Sequence, residues 1–111
     1  MVNFKTEMEE WKKKLKEKKK ELSKLERKKW SEMGEYQGEE KENKREGLGI
    51  WYIVEGKGNG NRYEGEFYND KYHGKGIYYH ASGNRYEGEL RNGQICGKGV
   101  YYGANGDRYE G

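Results

Sequence analysis

The chain of 111 residues is long enough for one domain, and its 39% charged against 31% hydrophobic residues exclude a large aliphatic core. A disordered chain of this polarity would be poor in aromatic residues, yet 14% of the residues are aromatic, 11 of them Tyr, and there are 18 Gly and no Pro. Residues 1–35 carry 12 Lys and Arg against 8 Asp and Glu and residues 36–111 carry 11 against 12, so any attraction to nucleic acid or acidic lipid belongs to the N-terminal part.

The cysteine count and the hydropathy pattern bear on the compartment. The single cysteine, Cys96, excludes an intramolecular disulfide and is consistent with a reducing setting. The sequence contains no run of about 18 apolar residues, no apolar signal-peptide core and no Met-Gly myristoylation start. We therefore expect a cytoplasmic or cytoskeletal protein.

Residues 1–34 predict a basic amphipathic helix. Residues 4–33 contain neither Gly nor Pro and are rich in Lys, Glu and Leu, which is a helix-forming composition. With Lys18 at a skipped position, apolar residues recur at spacings of four and three, at Phe4, Met8, Trp11, Leu15, Leu22 and Leu25. Trp30 and Met33 extend this stripe with a one-residue shift. The pattern is typical of a narrow coiled-coil-like seam, and we predict that its six residues bind a partner helix.

Two other interpretations of this helix remain open. It could be a solvated helix that caps the first hairpin. Its Lys-rich runs, Lys12–Lys14 and Lys18–Lys20, could also form a basic face for a membrane or RNA, but intervening acidic residues offset that charge. Membrane binding is disfavoured and nucleic-acid binding is not predicted.

The rest of the chain repeats itself with a period of 23 residues. Tyr63, Tyr86 and Tyr109 each begin a Tyr-Glu-Gly sequence, and a Gly-Lys-Gly follows the first two at the same offset. The repeat glycines that this spacing singles out are Gly65, Gly74, Gly76, Gly88, Gly97 and Gly99. We predict a repeat domain over 35–111 with units near 36–62, 63–85 and 86–108, and the start of another at 109. The first unit is about four residues longer than its successors.

Each unit has the pattern of a β-hairpin. Tyr63 to Tyr68 and Lys75 to His80 are β-prone runs separated by turn-forming residues. Strand alternation places Tyr63, Gly65 and Phe67 on one face and Arg62, Glu64 and Glu66 on the other. Glycine weakens a strand interior, so we expect neighbouring Tyr rings to cover the bare Gly backbone. Which Tyr covers which Gly is left open.

Tyr-x-Gly, then Gly-x-Gly, then a turn Gly at this period resembles the MORN (membrane occupation and recognition nexus) repeat. The resemblance implies a mainly β fold, a single-layer antiparallel solenoid of hairpins, here with an N-terminal α-helix. Such repeats occur in radial-spoke-head proteins, cytoskeletal rings and junctional membrane tethers, and beside some lipid kinase and methyltransferase domains. Residues 34–39 also resemble the first repeat of radial-spoke-head MORN proteins.

The sequence offers no catalytic set, and we predict no enzyme activity, cofactor or metal site. The Gly-x-Gly pairs lie in hairpins rather than in a strand-turn-helix, which is the context that nucleotide binding needs. His73 and Cys96 occupy equivalent positions of adjacent units, roughly 10 Å apart, which is too far for shared metal ligation. No small-molecule substrate is predicted.

We therefore expect a structural or docking scaffold in a large cytoskeletal assembly, with the axoneme of a cilium or flagellum as its site. The partners would be proteins of that complex, including a helix or a neighbouring repeat array. The repeat face would bind through Trp51, Tyr63, Phe67, Tyr86, Leu90 and Tyr109, because rigid aromatic side chains dominate interface energies. The alternatives are a membrane or phosphoinositide tether and a regulatory segment of a longer enzyme. We expect the partial unit at 109 to continue in a longer array or to be completed by a partner.

Overall fold

The computed structural model describes residues 3–111 and shows one helix lying on a single open sheet. The helix α1 runs over Phe4–Leu22, and Asn3 caps it by accepting a hydrogen bond from the Thr6 amide. The strands are β1 (Lys28–Ser31), β2 (Gly34–Lys41), β3 (Lys44–Ile53), β4 (Arg62–Tyr68), β5 (Lys71–Tyr79), β6 (Arg85–Arg91), β7 (Gln94–Tyr102) and β8 (Arg108–Glu110). The fold is therefore mainly β with an N-terminal helix, as predicted.

The eight strands pair antiparallel with their sequence neighbours, in the order β1 to β8. Each predicted unit is one hairpin, because two-residue turns close β2–β3, β4–β5 and β6–β7. Both turn residues have positive φ, for example 52° at Asn69 and 67° at Asp70, which is the geometry that matches the twist of paired strands. The extra residues of the first unit lie between β3 and β4, where Gly56–Gly58 form a short 3-10 turn.

The predicted helix over 1–34 is too long. Residues 1 and 2 lie outside the described residues, and α1 ends at Leu22 with Ser23 as its C-cap. The helix prediction is wrong after this point because residues 28–31 pair with β2 as an edge strand, and Trp30 packs on Tyr36 with ring centroids 5.2 Å apart. Tertiary pairing thus overrides a helix-forming composition. Leu25 and Met33 are 45% and 49% exposed and are not part of a helical seam.

The sheet has two distinct faces. The aromatic face carries Tyr36, Tyr63 and Tyr86, whereas the helix face carries α1 and the residues beneath it. The buried core of the aromatic face comprises Tyr36, Trp51, Tyr63, Phe67, Tyr86 and Leu90. The residues predicted to bind a partner through the repeat face lie on the aromatic face, and those of the predicted helix seam that fall within α1 lie on the helix face.

Candidate functional site

Residues at equivalent positions of the repeat form straight rows across the sheet. One row is made of paired glycines, in the order Gly38, Gly49, Gly65, Gly76, Gly88 and Gly99. The adjacent row on the aromatic face alternates between the first tyrosine of each unit and an aromatic residue of its second strand, in the order Tyr36, Trp51, Tyr63, Tyr78, Tyr86, Tyr101 and Tyr109. The 23-residue period thus places a row of aromatic residues next to a row of glycines on the same face.

Each unit's first tyrosine lies over the strand glycine of its own hairpin. Tyr36 covers Gly49, Tyr63 covers Gly76 and Tyr86 covers Gly99, since a Cβ on any of these glycines would fall well inside 3.0 Å of the ring. The hydroxyl of Tyr63 donates to the carbonyl oxygen of Glu66 at 2.9 Å. Tyr36 and Tyr86 make the same bond to Glu39 and Glu89. The expected stacking of tyrosine on glycine is confirmed, and the longer first unit obeys it too.

Gly74 and Gly97 serve a different purpose from the stacked glycines. Their φ angles of 94° and 59° lie in the left-handed region, where the strand bends next to a carboxylate. The Glu66 carboxylate accepts a hydrogen bond from the Lys75 amide at 2.7 Å, and Glu89 accepts from the Lys98 amide at 2.9 Å. These glutamates hold the two strands of a hairpin together at the irregular point of the ladder.

The residues predicted to anchor a partner on the repeat face are mostly core. Tyr63 is fully buried, and the other four with low exposure are Trp51, Phe67, Tyr86 and Leu90. Only Tyr109 is exposed, at 61%. The physical reason is that the rings lie flat on the glycine backbone and against one another; for instance, Phe67 packs edge-on to both Tyr36 and Tyr63. A different, outer set of side chains therefore forms the accessible surface of this face.

That outer set surrounds an open groove on the second and third units. The groove has a volume of about 230 Å³ and is lined by Tyr72, Tyr78, His80, Tyr86, Leu90, Gly93, Ile95 and Tyr101. None of these lining residues is Lys, Arg, Asp or Glu. Sequence reasoning missed Tyr72, Tyr78, Ile95 and Tyr101 as candidates, although Tyr78 and Tyr101 carry the same 23-residue period.

The helix seam packs on the chain's own sheet. Met8, Leu15 and Leu22 are buried, at 4%, 4% and 1% exposure, and they are seven residues apart along α1. Beneath them runs a row that alternates aliphatic and acidic residues, in the order Ile50, Glu64, Ile77, Glu87 and Val100. Leu15 and Ile77 line one shallow cavity between the helix and the sheet, and Met8 and Val100 line another. One heptad of α1 thus corresponds to one hairpin unit.

The seam prediction therefore needs correction. Phe4 and Trp11 are half-buried on α1, Leu25 lies beyond its end, and the buried seam is Met8, Leu15 and Leu22. Its occupant is the sheet rather than a helix of another protein. The interpretation of a helix on the first hairpin is right in part: α1 contacts β2 and β3, but it also extends over Glu64 of β4 and Glu87 of β6.

Two glutamates of this row are buried and paired with α1. Glu64 and Glu87 are 2% and 5% exposed. Lys19 Nζ lies 2.9 Å from Glu64 Oε1, and Lys12 Nζ lies 2.9 Å from Glu87 Oε1. Burial alone would raise the pKa of Glu87, but the hydrogen bonds and charges of Arg85 and Lys12 outweigh it and hold this pKa below its ordinary value.

Arginine and tyrosine side chains alternate in the next row of the helix face. The guanidinium of Arg62 lies 4.0 Å from the centre of the Tyr79 ring, and Arg85 lies 4.0 Å from the Tyr102 ring. The same arginines each pair with the glutamate two residues on, at 2.8 Å. These basic groups are therefore already engaged within the sheet, each by a carboxylate and by an aromatic ring.

The described part of the chain gives two further observations about chemistry. Within residues 3–111, no three His, Cys, Asp or Glu side chains are grouped so that they could hold a metal ion. Over the same residues, no helix is both long and apolar enough to cross a membrane.

The MORN repeat family profile matches the chain at residues 36–58, 63–85 and 86–108. These three segments cover more than half of the sequence and coincide with the three hairpins. The chain belongs to the MORN-repeat family. A comparison with curated protein sequences found no significant match. MORN repeats serve as scaffolds for protein or membrane-lipid interaction, and this is the function class that membership indicates.

The match also fixes the units of this MORN array. The second and third profile segments have the predicted bounds, 63–85 and 86–108. The first segment ends at residue 58 rather than 62, so it leaves out residues 59–61 of the long connection between β3 and β4 and the first residue of β4. The insertion therefore lies between MORN hairpins and does not disturb the stacking within one.

Proposed function

We propose that this MORN protein is a non-catalytic docking scaffold in a large cytoskeletal assembly, and that the assembly is the axoneme of a cilium or flagellum. The observation that carries the docking role is the groove on the aromatic face. It is an apolar, partly exposed surface on a backbone fixed by tyrosine–glycine stacking and a continuous hydrogen-bond ladder. A rigid array of this kind binds a partner at little cost in chain ordering.

The charge distribution favours a protein partner over a membrane. The groove lining contains no lysine or arginine, and Lys12 and Lys19 of the basic helix are paired with buried glutamates. The outward side of α1 mixes lysines such as Lys13 and Lys16 with acids such as Glu9 and Glu17. Peripheral binding to acidic lipid needs a concentration of unpaired positive charge.

The axonemal site rests on the resemblance of residues 34–39 to the first repeat of radial-spoke-head MORN proteins. A tagged full chain expressed in ciliated cells tests it, together with extraction of the membranes by non-ionic detergent. We expect the chain to remain with the detergent-resistant axoneme. Complete release with the membrane lipids would overturn the proposal in favour of a membrane tether, and absence from cilia would overturn the axonemal site.

A variant of the groove links the retention to the proposed surface. Tyr101→Ala removes one wall of the groove and should weaken axonemal retention severalfold in a salt-extraction series. Tyr68→Ala is the matched control, because Tyr68 is 58% exposed and lies outside the groove. Equal retention of both variants and the wild type would place the docking surface elsewhere on the sheet.

A further inference from the structure

The three units differ at one equivalent position on the aromatic face. The strand pairing places Arg45 opposite Glu40 in the first unit, Tyr72 opposite Phe67 in the second and Ile95 opposite Leu90 in the third. These three residues occupy the same place in their hairpins. Their side chains make different contacts on the aromatic face.

Two of the three core tyrosines have a second aromatic ring against them from the outer side. Trp30 packs on Tyr36 at 5.2 Å between ring centroids, and Tyr72 stacks on Tyr63 at 4.1 Å with an interplanar angle of 23°. Within the described residues, no aromatic ring stacks in this way on Tyr86. The equivalent residue Ile95 is instead 62% exposed, and Tyr86 keeps 6% exposure where Tyr36 and Tyr63 have none.

The corresponding space one unit earlier is also open, at about 230 Å³, but its lining is charged and includes Arg45, Asp70 and Lys71. The Arg45 guanidinium lies 4.8 Å from the Trp51 ring and 5.1 Å from the Phe67 ring, and its Nε donates to Asp70 at 2.7 Å. In the next unit, Tyr72 replaces Arg45 and leans onto Tyr63. Gly93 stands at the turn position of Asp70, so both the guanidinium and its partner carboxylate are missing there.

These replacements leave the groove of about 230 Å³ on the second and third units without the charged lining of its counterpart. Pockets that hold whole small molecules measure roughly 300–1,000 Å³, so this groove suits a single large side chain. Its lining lacks the acid that holds Arg45 in the first unit and contains no lysine or arginine to bind a phosphate. An uncharged aromatic ring is the group that fits the surface, because aromatic rings pack favourably edge-on or offset on one another.

We propose that this groove receives one aromatic side chain, a tryptophan or tyrosine, from a partner polypeptide. The ring packs against Tyr86 and Leu90 between Ile95 and Tyr101, and thereby supplies the contact that Trp30 and Tyr72 supply in the first two units. This inference rests on the proposed docking function and adds the chemistry of the anchor. It also predicts that the third unit is the part of the array that a partner recognises.

The test uses the full chain, labelled with nitrogen-15, and N-acetyl-L-tryptophanamide as the probe. We expect saturable amide shift changes confined to residues around the groove, including Gly93, Ile95 and Tyr101. N-acetyl-L-leucinamide, which lacks a ring, should bind at least about fivefold more weakly. Equal binding of both probes, or shift changes spread over α1 and the first unit, would overturn the proposal.

Two substitutions that each introduce a tryptophan control the experiment. Ile95→Trp provides the missing ring within the chain and should abolish probe binding while the thermal midpoint stays equal or rises. Tyr68→Trp introduces the same side chain at a position that is 58% exposed and lies outside the groove, and it should retain binding within about twofold. If Ile95→Trp still bound the tryptophan probe, the groove would not be its site.

The same variant separates this inference from the proposed function. If Ile95→Trp abolishes probe binding but leaves axonemal retention intact, the scaffold function stands and the aromatic anchor does not explain it. If the probe binds as expected but the chain is released with the membrane fraction, the groove chemistry stands and the cytoskeletal function fails. Loss of both retention and probe binding in Ile95→Trp supports the two together.

Discussion

The ring of Tyr63 lies directly on the backbone of Gly76, with no room for a side chain between them. A Cβ at Gly76 would fall well inside 3.0 Å of two ring carbons and the hydroxyl oxygen of Tyr63, and that side chain is fully buried. Gly76→Ala should therefore lower the free energy of unfolding by about 1–3 kcal/mol through overpacking. Chemical denaturation of the full chain measures this change.

The matched control is Gly111→Ala, which makes the same chemical change with nothing within 4 Å of the new Cβ. Gly111 bonds to Gly99 across the end of the same row and so shares the extended environment. Its substitution should change the free energy of unfolding by less than about 0.5 kcal/mol. Equal effects at the two positions would mean that the loss reflects backbone propensity rather than the aromatic ring.

The hydroxyl of Tyr63 makes a separate contribution from its ring. It donates to the Glu66 carbonyl oxygen at 2.9 Å, and burial raises the pKa of this phenol above its ordinary range. Tyr63→Phe keeps the ring over Gly76 and removes the donor, so we expect a loss of about 1 kcal/mol in the free energy of unfolding. Tyr109→Phe, at a 61% exposed side chain, should have no measurable effect. An equal loss in both variants would contradict the buried hydrogen bond.

The packing of α1 on the sheet can be tested with two identical leucine truncations. Leu15→Ala removes a side chain that is 4% exposed and should cost about 2–4 kcal/mol, with faster amide hydrogen exchange along α1. Leu25→Ala, at 45% exposure and beyond the end of the helix, should cost less than about 0.5 kcal/mol. A seam that extended through residue 25 would give similar losses at both leucines.

The pair of Lys12 and Glu87 makes stability depend on acidic pH. The pKa of Glu87 is lower in the folded chain than its ordinary value of 4.5, so its contribution is present above about pH 4.5 and is lost as the pH falls through the folded pKa. At pH 7, Glu87→Gln should reduce the free energy of unfolding by about 1–2 kcal/mol. The difference from the wild type should shrink as the pH falls below 4.5.

Glu17→Gln serves as the control for the acid titration. Glu17 has a 78% exposed side chain and lies 4.0 Å from Lys20, so its substitution should leave the pH profile unchanged. Denaturation midpoints between pH 3 and pH 8 measure both variants against the wild type. A deficit for Glu87→Gln that stayed constant down to pH 3 would show that the ion pair is not its cause.

The repeat was predictable from the sequence because a hairpin is a local structure. Turn residues such as Asn69 and Asp70 fix the loop, strand alternation fixes which side chains share a face, and the period aligns the units. The core tyrosines and strand glycines followed directly from these regularities. The pairing of a given ring with a given glycine needed coordinates, since a tyrosine can reach more than one neighbouring strand.

Long-range contacts account for what the sequence did not predict. Residues 28–31 have a helix-forming composition, and only their pairing with β2 and the packing of Trp30 on Tyr36 make them a strand. The burial of Glu64 and Glu87 depends on where α1 lies, which periodicity does not determine. The apolar lining of the groove likewise arises from differences between units, at Arg45, Tyr72 and Ile95. A repeat period reveals only the positions that the units share.

The correspondence of one heptad of α1 to one hairpin has a geometric limit. Seven helical residues advance roughly 10.5 Å, whereas two strands of a sheet advance roughly 9.6 Å, so a straight helix lying across the strands drifts by roughly 1 Å per unit. Over three units the accumulated offset between helix and sheet stays below the spacing of one strand, roughly 4.8 Å. The long lysine side chains can bend to span this offset. A longer straight helix would come to place its lysines over isoleucines. The 19 residues of α1 thus lie within the span over which helix and sheet remain in step.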